Sequence, residues 1–291
     1  MPMLLIKGSY EIVGTEPDGD NIHFRPDDPD EWDLIGGPRK VKRNAAGRGK
    51  LRLEAIDALE THYSRTGPSV SQPLALGHAA RDEVLSWVGF TSVTRDPVVV
   101  ERVTASTPAS VPGFILTRGV DISRRAIAFA GRGEPPFASG TQVFVDTGLL
   151  ETTLNHHLIA EGLVYPLYYR SLFFDLRNAI TATVEKARTA TPPKGLWAKD
   201  ATLTGATVTG MTSITTNEVI LPKLFRRLVD YFNLGGTPDL SGFPAYLDQE
   251  GDRFLILPTG QFTTGLDEVV QVTGTNVKMT RNPWDLVFED E

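Results

Sequence analysis

The sequence predicts an α+β fold: five strands curling into a small barrel, helices beside it, and a smaller acidic α+β module behind. Strand-like segments crowd the first half of the chain, whereas helical periodicity dominates later. That order suits a compact sheet with helices packed on one side. Residues 200–291 hold 13 of the 36 acidic residues but only 6 of the 29 basic ones. The net charge of −7 therefore belongs to the C-terminal part, and residues 1–199 are balanced. Such asymmetry marks two modules with different jobs, drawn here as 1–199, with a basic insert at 36–52, and 200–291.

The chain of 291 residues is long enough for one large or two small cores. It has no Cys, which excludes disulfides and thiolate metal sites. The opening MPMLLIKGSYEI has no basic region before its short apolar run. No later stretch reaches the length of a membrane span, so the expectation is a soluble, cytoplasmic protein with no membrane partner.

Residues 3–13 and 20–25 read as strands, joined across EPDGD, whose Asp-Gly pair is a hairpin-turn signal. A polar insert over 26–50 follows, acidic first (Asp27 to Asp33) and basic later (GGPRKVKRNAAGRGK). The basic half is either a solvated loop or a hand for a phosphate backbone. Leu51, Leu53, Ala55 and Ile56 read as a buried strand. Residues 64–72 are a spacer, Pro73 opens a helix, and a strand is expected near 98–104. After a loop, Arg124–Arg125 lead into a strand at Ala126–Phe129. Helices are expected over 151–162 and 172–190. In the C-terminal part, 201–216 is a linker or weak strands, 219–233 an amphipathic helix stopped by Gly235–Gly236, and RFLILP a strand. VVQV and VKMT form a hairpin.

Residues 51–63, LRLEAIDALETHY, concentrate the chemistry. Burying a charge costs several kcal/mol unless it is paired or binds a metal. Arg52, Asp57 and Glu60 at one strand end therefore invite a functional reading, although charges at a strand end can also simply reach solvent. Phosphodiester hydrolysis needs carboxylates for a hard cation, a further carboxylate to activate water, and arginines for the phosphate. Asp20, the Arg52/Asp57/Glu60 trio and Arg125 supply these types. Arg52 and Asp57 are five apart and would face opposite sides of a straight strand. The strand must bend or end before Asp57. His156 and His157 are adjacent rather than four apart, which argues against a zinc site. Trp32, Trp87 and Trp284 read as packing residues.

The order of these pieces resembles the staphylococcal nuclease (thermonuclease-like) family across roughly residues 5–198. The motifs that carry it are Asp18-Gly19-Asp20, then Arg52-Leu53 with Asp57 and Glu60, and Asp121 with Arg125 before a strand. Asn155 to Leu163 and Lys194-Gly195-Leu196-Trp197 complete the set. The resemblance implies a five-stranded OB-type barrel with three helices and a Ca²⁺-dependent endonuclease. It implies cleavage of DNA or RNA, single strands preferred, to 3′-phosphate ends. It makes Asp20 and Asp57 calcium ligands with the Ala58 carbonyl, Glu60 the general base, and Arg52 and Arg125 the grip on the scissile phosphate. Tyr168 keeps a substrate-side position, Arg170 stands where the family has a second Tyr, and Lys40 and Arg43 of the insert become phosphate contacts. Leu59 replaces the usual Pro before the catalytic Glu, and Ser123 replaces a Tyr. The competing expectation is a catalytically inactive module that binds protein or nucleic acid. A third reading puts the function in 201–291, where no constellation able to carry chemistry is visible. The acidic part is expected to serve self-association or a protein partner, or to restrain the nuclease.

Overall fold

The computed structural model describes residues 1–65, 67–135, 137–235 and 239–289. Strand β1 (Pro2–Tyr10) is followed by β2 (His23–Pro26), β3 (Gly49–Leu53), the two-residue β4 (Ile56–Asp57) and helix α1 (Leu74–Val88). The hairpin β5 (Ser92–Arg95) and β6 (Val103–Thr107) comes next, then β7 (Val111–Val120), β8 (Ala126–Arg132) and β9 (Thr141–Phe144). Strands β1, β2, β3, β8 and β7 pair in that order, and β7 returns to β1. The result is a closed five-stranded barrel within a mixed α+β chain, compatible with the OB type. Only the β3–β8 pair in it is parallel. β9 pairs with the first half of β1, which β2 does not reach. Leu5, Tyr10, Phe24, Leu51, Leu53, Ile115 and Phe129 are buried, as apolar residues on barrel strands should be.

Two expected elements differ. Of the run near 98–104, only Val103 onward is strand, as the start of β6; residues 98–102 turn between β5 and β6, where Asp96 Oδ1 accepts from the backbone N–H of Val98 and Val99 and their side chains are exposed. The stretch over 151–162 is two helices, α2 (Thr147–Glu151) and α3 (Leu154–Ala160). The buried Thr153 separates them by donating to Leu150 O and capping α3.

After α3 come β10 (Tyr165–Pro166), β11 (Tyr168–Tyr169) and α4 (Phe174–Thr189). α4 buries Leu176, Ile180, Val184 and Ala187, the face its periodicity requires. The C-terminal part adds β12 (Ala206–Thr207), α5 (Pro222–Gly235), α6 (Phe243–Glu250), β13 (Arg253–Ile256) and β14 (Gln261–Thr264). The hairpin β15 (Val270–Thr273) and β16 (Asn276–Met279) and then β17 (Leu286–Phe288) follow. Of the two glycines expected to stop α5, Gly236 lies outside the described residues. β17 pairs with β11 on one side and β13 on the other, so one sheet takes strands from both parts of the chain. The buried apolar residues likewise form one cluster running through both parts. Among the described residues no helix is long and apolar enough to cross a membrane.

Candidate functional site

The strand that carries Arg52 ends at Leu53. Glu54 and Ala55 then turn, with Ala55 at φ 68° in the left-handed region, and the chain restarts as β4. This break is what lets Arg52 and Asp57 share a site. Asn155, buried at 1% exposure, holds the turn. Its amide donates to Glu54 O (2.9 Å) and Ala128 O (3.1 Å) and accepts from Ala130 N (3.0 Å).

The Asp18-Gly19-Asp20 turn is drawn against the same segment. Asp18 accepts from Gly19 N (2.8 Å) and from the Thr61 hydroxyl (3.0 Å), and Leu53 N donates to Asp20 O (2.8 Å). A Cβ at position 19 would lie 2.6 Å from the Ala58 Cβ and 2.8 Å from the Ala80 Cβ. Only glycine permits that approach. Burial, reinforced by Asp20, pushes the Asp18 carboxyl up to about 7.

Glu60 is clasped through its backbone by Gln72, whose N–H donates to Glu60 O (2.8 Å) and whose Oε1 accepts from Glu60 N (3.2 Å). Burial pushes the Glu60 carboxyl up to about 7 against the opposing pull of Arg226, with Asp57 and Asp20 adding to the rise. Arg52 lies with its guanidinium 5.8 Å from the Tyr169 ring centroid. Burial opposes its charge, but Tyr169, Asp20 and Asp57 outweigh that and raise its pKa.

Arg226, from α5, reaches into this cluster. It donates to Asp57 Oδ1 (3.2 Å) and Oδ2 (2.8 Å) and to Glu60 Oε1 (2.6 Å). Asp57 is fully buried and the Arg226 side chain 22% exposed, so the pair is a charge-assisted, two-pronged contact whose carboxylate end is away from water.

Beside the cluster opens a cavity of about 480 Å³, lined among others by Arg39, Arg52, Arg118, Arg125 and Tyr169. Arg125 donates to Asp121 Oδ2 (2.6 Å), and its backbone N–H donates to Asp121 Oδ1 (2.8 Å). Arg124 completes this corner at φ 64°. Arg118 is held by Ser171 O (2.9 Å). Four arginines around one opening, with an aromatic ring and Ile56, Ile122 and Ile127 in the wall, suit a phosphate attached to an apolar or aromatic group.

The structure thus brings Asp20, Arg52, Asp57 and Glu60 together, with Arg125 on the adjoining cavity wall. Four other expected substrate contacts lie elsewhere. Tyr168 is buried, its hydroxyl engaged with Thr181 (2.9 Å) and Arg177 O (3.3 Å). Strand alternation turns its neighbour Tyr169 to the cavity instead. Arg170 pairs with Glu289 at 3.5 Å on the β11–β17 edge. Lys40 donates to Asp33 O (3.0 Å), and Arg43 donates to Asp33 Oδ2 (3.0 Å) and Pro29 O. One ion pair, Arg43 with Asp33, thus ties the basic half of the insert to the acidic half, and Gly36 to Arg39 are the part of it at the cavity.

Arg226, Arg118, Tyr169 and Gln72 were not legible as site residues. Arg226 and Arg227 read only as the polar face of an amphipathic helix, and no local signal ties residue 226 to residue 57. Comparison with protein-family models and with curated proteins gives no match.

The calcium set implied by the resemblance does not fit this arrangement. Both Asp57 oxygens and one Glu60 oxygen already accept from Arg226. A divalent ion about 4 Å from a guanidinium charge would meet a repulsion on the order of 8 kcal/mol at an effective dielectric of about 20.

Proposed function

We propose that the chain is a phosphodiesterase of the nuclease type, acting on DNA or RNA, with single strands preferred, in the arginine-lined cavity of an OB-type barrel. The observation that carries this reading is that Arg52 and Arg125 line one cavity, with Asp20 and Asp57 near Arg52 and Glu60 near those two carboxylates. In this reading Arg52 and Arg125 bind the scissile phosphate and stabilise charge that develops on its oxygens. Tyr169 offers a ring face to a base. Glu60 orients and deprotonates the attacking water. Single strands, whose unpaired bases are free to stack on a ring such as Tyr169, suit this cavity better than a duplex. No step is assigned to calcium.

The reading is tested by cleavage of an end-labelled single-stranded oligonucleotide by the purified full chain, with and without added calcium, alongside Glu60→Gln. Cleavage to 3′-phosphate ends that Glu60→Gln loses supports it. A second reading, a non-catalytic nucleic-acid-binding module, is favoured by the Arg226 contacts, which engage the carboxylates that hydrolysis would use. Oligonucleotide binding without cleavage in either condition selects that second reading.

A further inference from the structure

We propose that Arg226 is the resident cation of this carboxylate site, filling the place of a divalent ion, so that the chain takes up no calcium there. The inference rests on the proposed reading only for naming the carboxylate pair as the site. Its geometry stands apart from any activity.

The guanidinium meets Asp57 through two nitrogens and Glu60 through one of them, all within 3.2 Å. A planar fork on a carboxylate matches this bidentate geometry. Balance of charge points the same way. Asp20, Asp57 and Glu60 face Arg52 and Arg226, with Lys50 close to Asp20. Asp57 and Glu60 thus already have a cation between them.

Arg226 is also fixed in place rather than laid over the site as a mobile cover. Its neighbour Arg227 forms two 2.9 Å bonds to Asp252 and one of 2.7 Å to Glu250. Lys223, one turn earlier, is 2.8 Å from Asp252. On the other side, Tyr63 and Arg65 donate to Asp230 of α5, and the Gln72 amide that clasps Glu60 donates onward to Ile220 O (2.8 Å). Leu224, Phe225, Leu228 and Val229 are buried beneath. The segment carrying Glu60, Tyr63, Arg65 and Gln72 is therefore bonded to the helix that carries Arg226 and to the residues leading into it. Withdrawing the helix together with its arginine would break all of these contacts. Ion pairs that share a buried network act as a unit.

The test is titration of the purified full-length chain with Ca²⁺, read by calorimetry and by the midpoint of thermal unfolding. Neither readout involves cleavage. Specific binding to the folded state raises that midpoint as ligand concentration exceeds Kd. The wild type is expected to show no uptake at Asp57 and no shift. Arg226→Gln is expected to take up one calcium and gain thermal stability with it, and the Arg226→Gln/Asp57→Asn double variant to lose both. Calcium uptake by the wild type that Asp57→Asn abolishes would overturn the proposal, as would a folded Arg226→Gln that stays indifferent to calcium. If Arg226→Gln does not fold, the wild type and Asp57→Asn decide the matter between them, with Arg226→Lys, which keeps a cation, expected to remain calcium-free. Failure of cleavage under every condition, with these titrations as expected, would remove the nuclease reading and leave this one standing.

Discussion

Arg226 and Asp57 lie 169 positions apart in sequence, yet the guanidinium of one spans both carboxylate oxygens of the other at 3.2 and 2.8 Å. Asp57 has no exposed surface. A buried pair of this kind resists loss of one member far more than joint replacement. Arg226→Met should destabilise the fold by about 3–5 kcal/mol in urea unfolding, because it strands a buried carboxylate. Combined with Asp57→Asn, the cost should fall well short of the sum of the single variants. Additive costs would mean that the two residues do not act as a pair.

Tyr168 and Tyr169 should separate stability from binding. Tyr168→Phe removes a hydroxyl bonded to Thr181 and should cost about 1 kcal/mol of stability while leaving oligonucleotide affinity unchanged. Tyr169→Ala takes the ring away from Arg52 and should weaken oligonucleotide binding by about 1–3 kcal/mol. The opposite pattern would return the substrate role to Tyr168.

Asn155 holds the turn that bends Arg52 and Asp57 together. Asn155→Ala leaves three buried backbone groups with one partner fewer. It should cost roughly 3 kcal/mol or more, at about 1 kcal/mol for each lost bond. Cleavage per folded molecule should fall as well. A variant with lower stability and undiminished cleavage would show that the turn needs no such brace.

His23 gives the fold an acid limit. Burial, with Lys50 and Arg48 adding to it, lowers its pKa to about 4. Its Nδ1 is buried without a hydrogen-bond partner among the described residues. Because the folded value lies below that of the unfolded chain, the stabilising contribution is complete above pH ~6.5 and is lost as pH falls from there toward about 4. The loss is on the order of 3 kcal/mol. Chemical denaturation across that window should show the slope in the wild type and a flatter one in His23→Gln. Equal slopes would place the acid sensitivity elsewhere.

What could be read in the sequence is what is local. The Asp-Gly turn, the apolar alternation of the barrel strands and the i, i+4 face of α4 each follow from neighbouring residues. So does the requirement that the chain break between Arg52 and Asp57, met at Ala55. Tyr168 and Tyr169 could not be told apart, because which of two adjacent residues faces a cavity depends on the register of β11 against β17. The basic insert stayed open between a solvated loop and an electrostatic hand because the folding of Arg43 onto Asp33 depends on the path of the loop. Arg226 was hidden for the same reason on a larger scale, since only the docking of α5 places it beside Asp57.

If the arginine-lined cavity receives the phosphate, affinity for a single strand must depend on Arg52. Fluorescence anisotropy of a labelled single-stranded oligonucleotide should show Arg52→Met binding at least about tenfold more weakly than the wild type, the equivalent of one charge-assisted contact. Equal affinities in the folded proteins would place the nucleic acid elsewhere or remove it from the account.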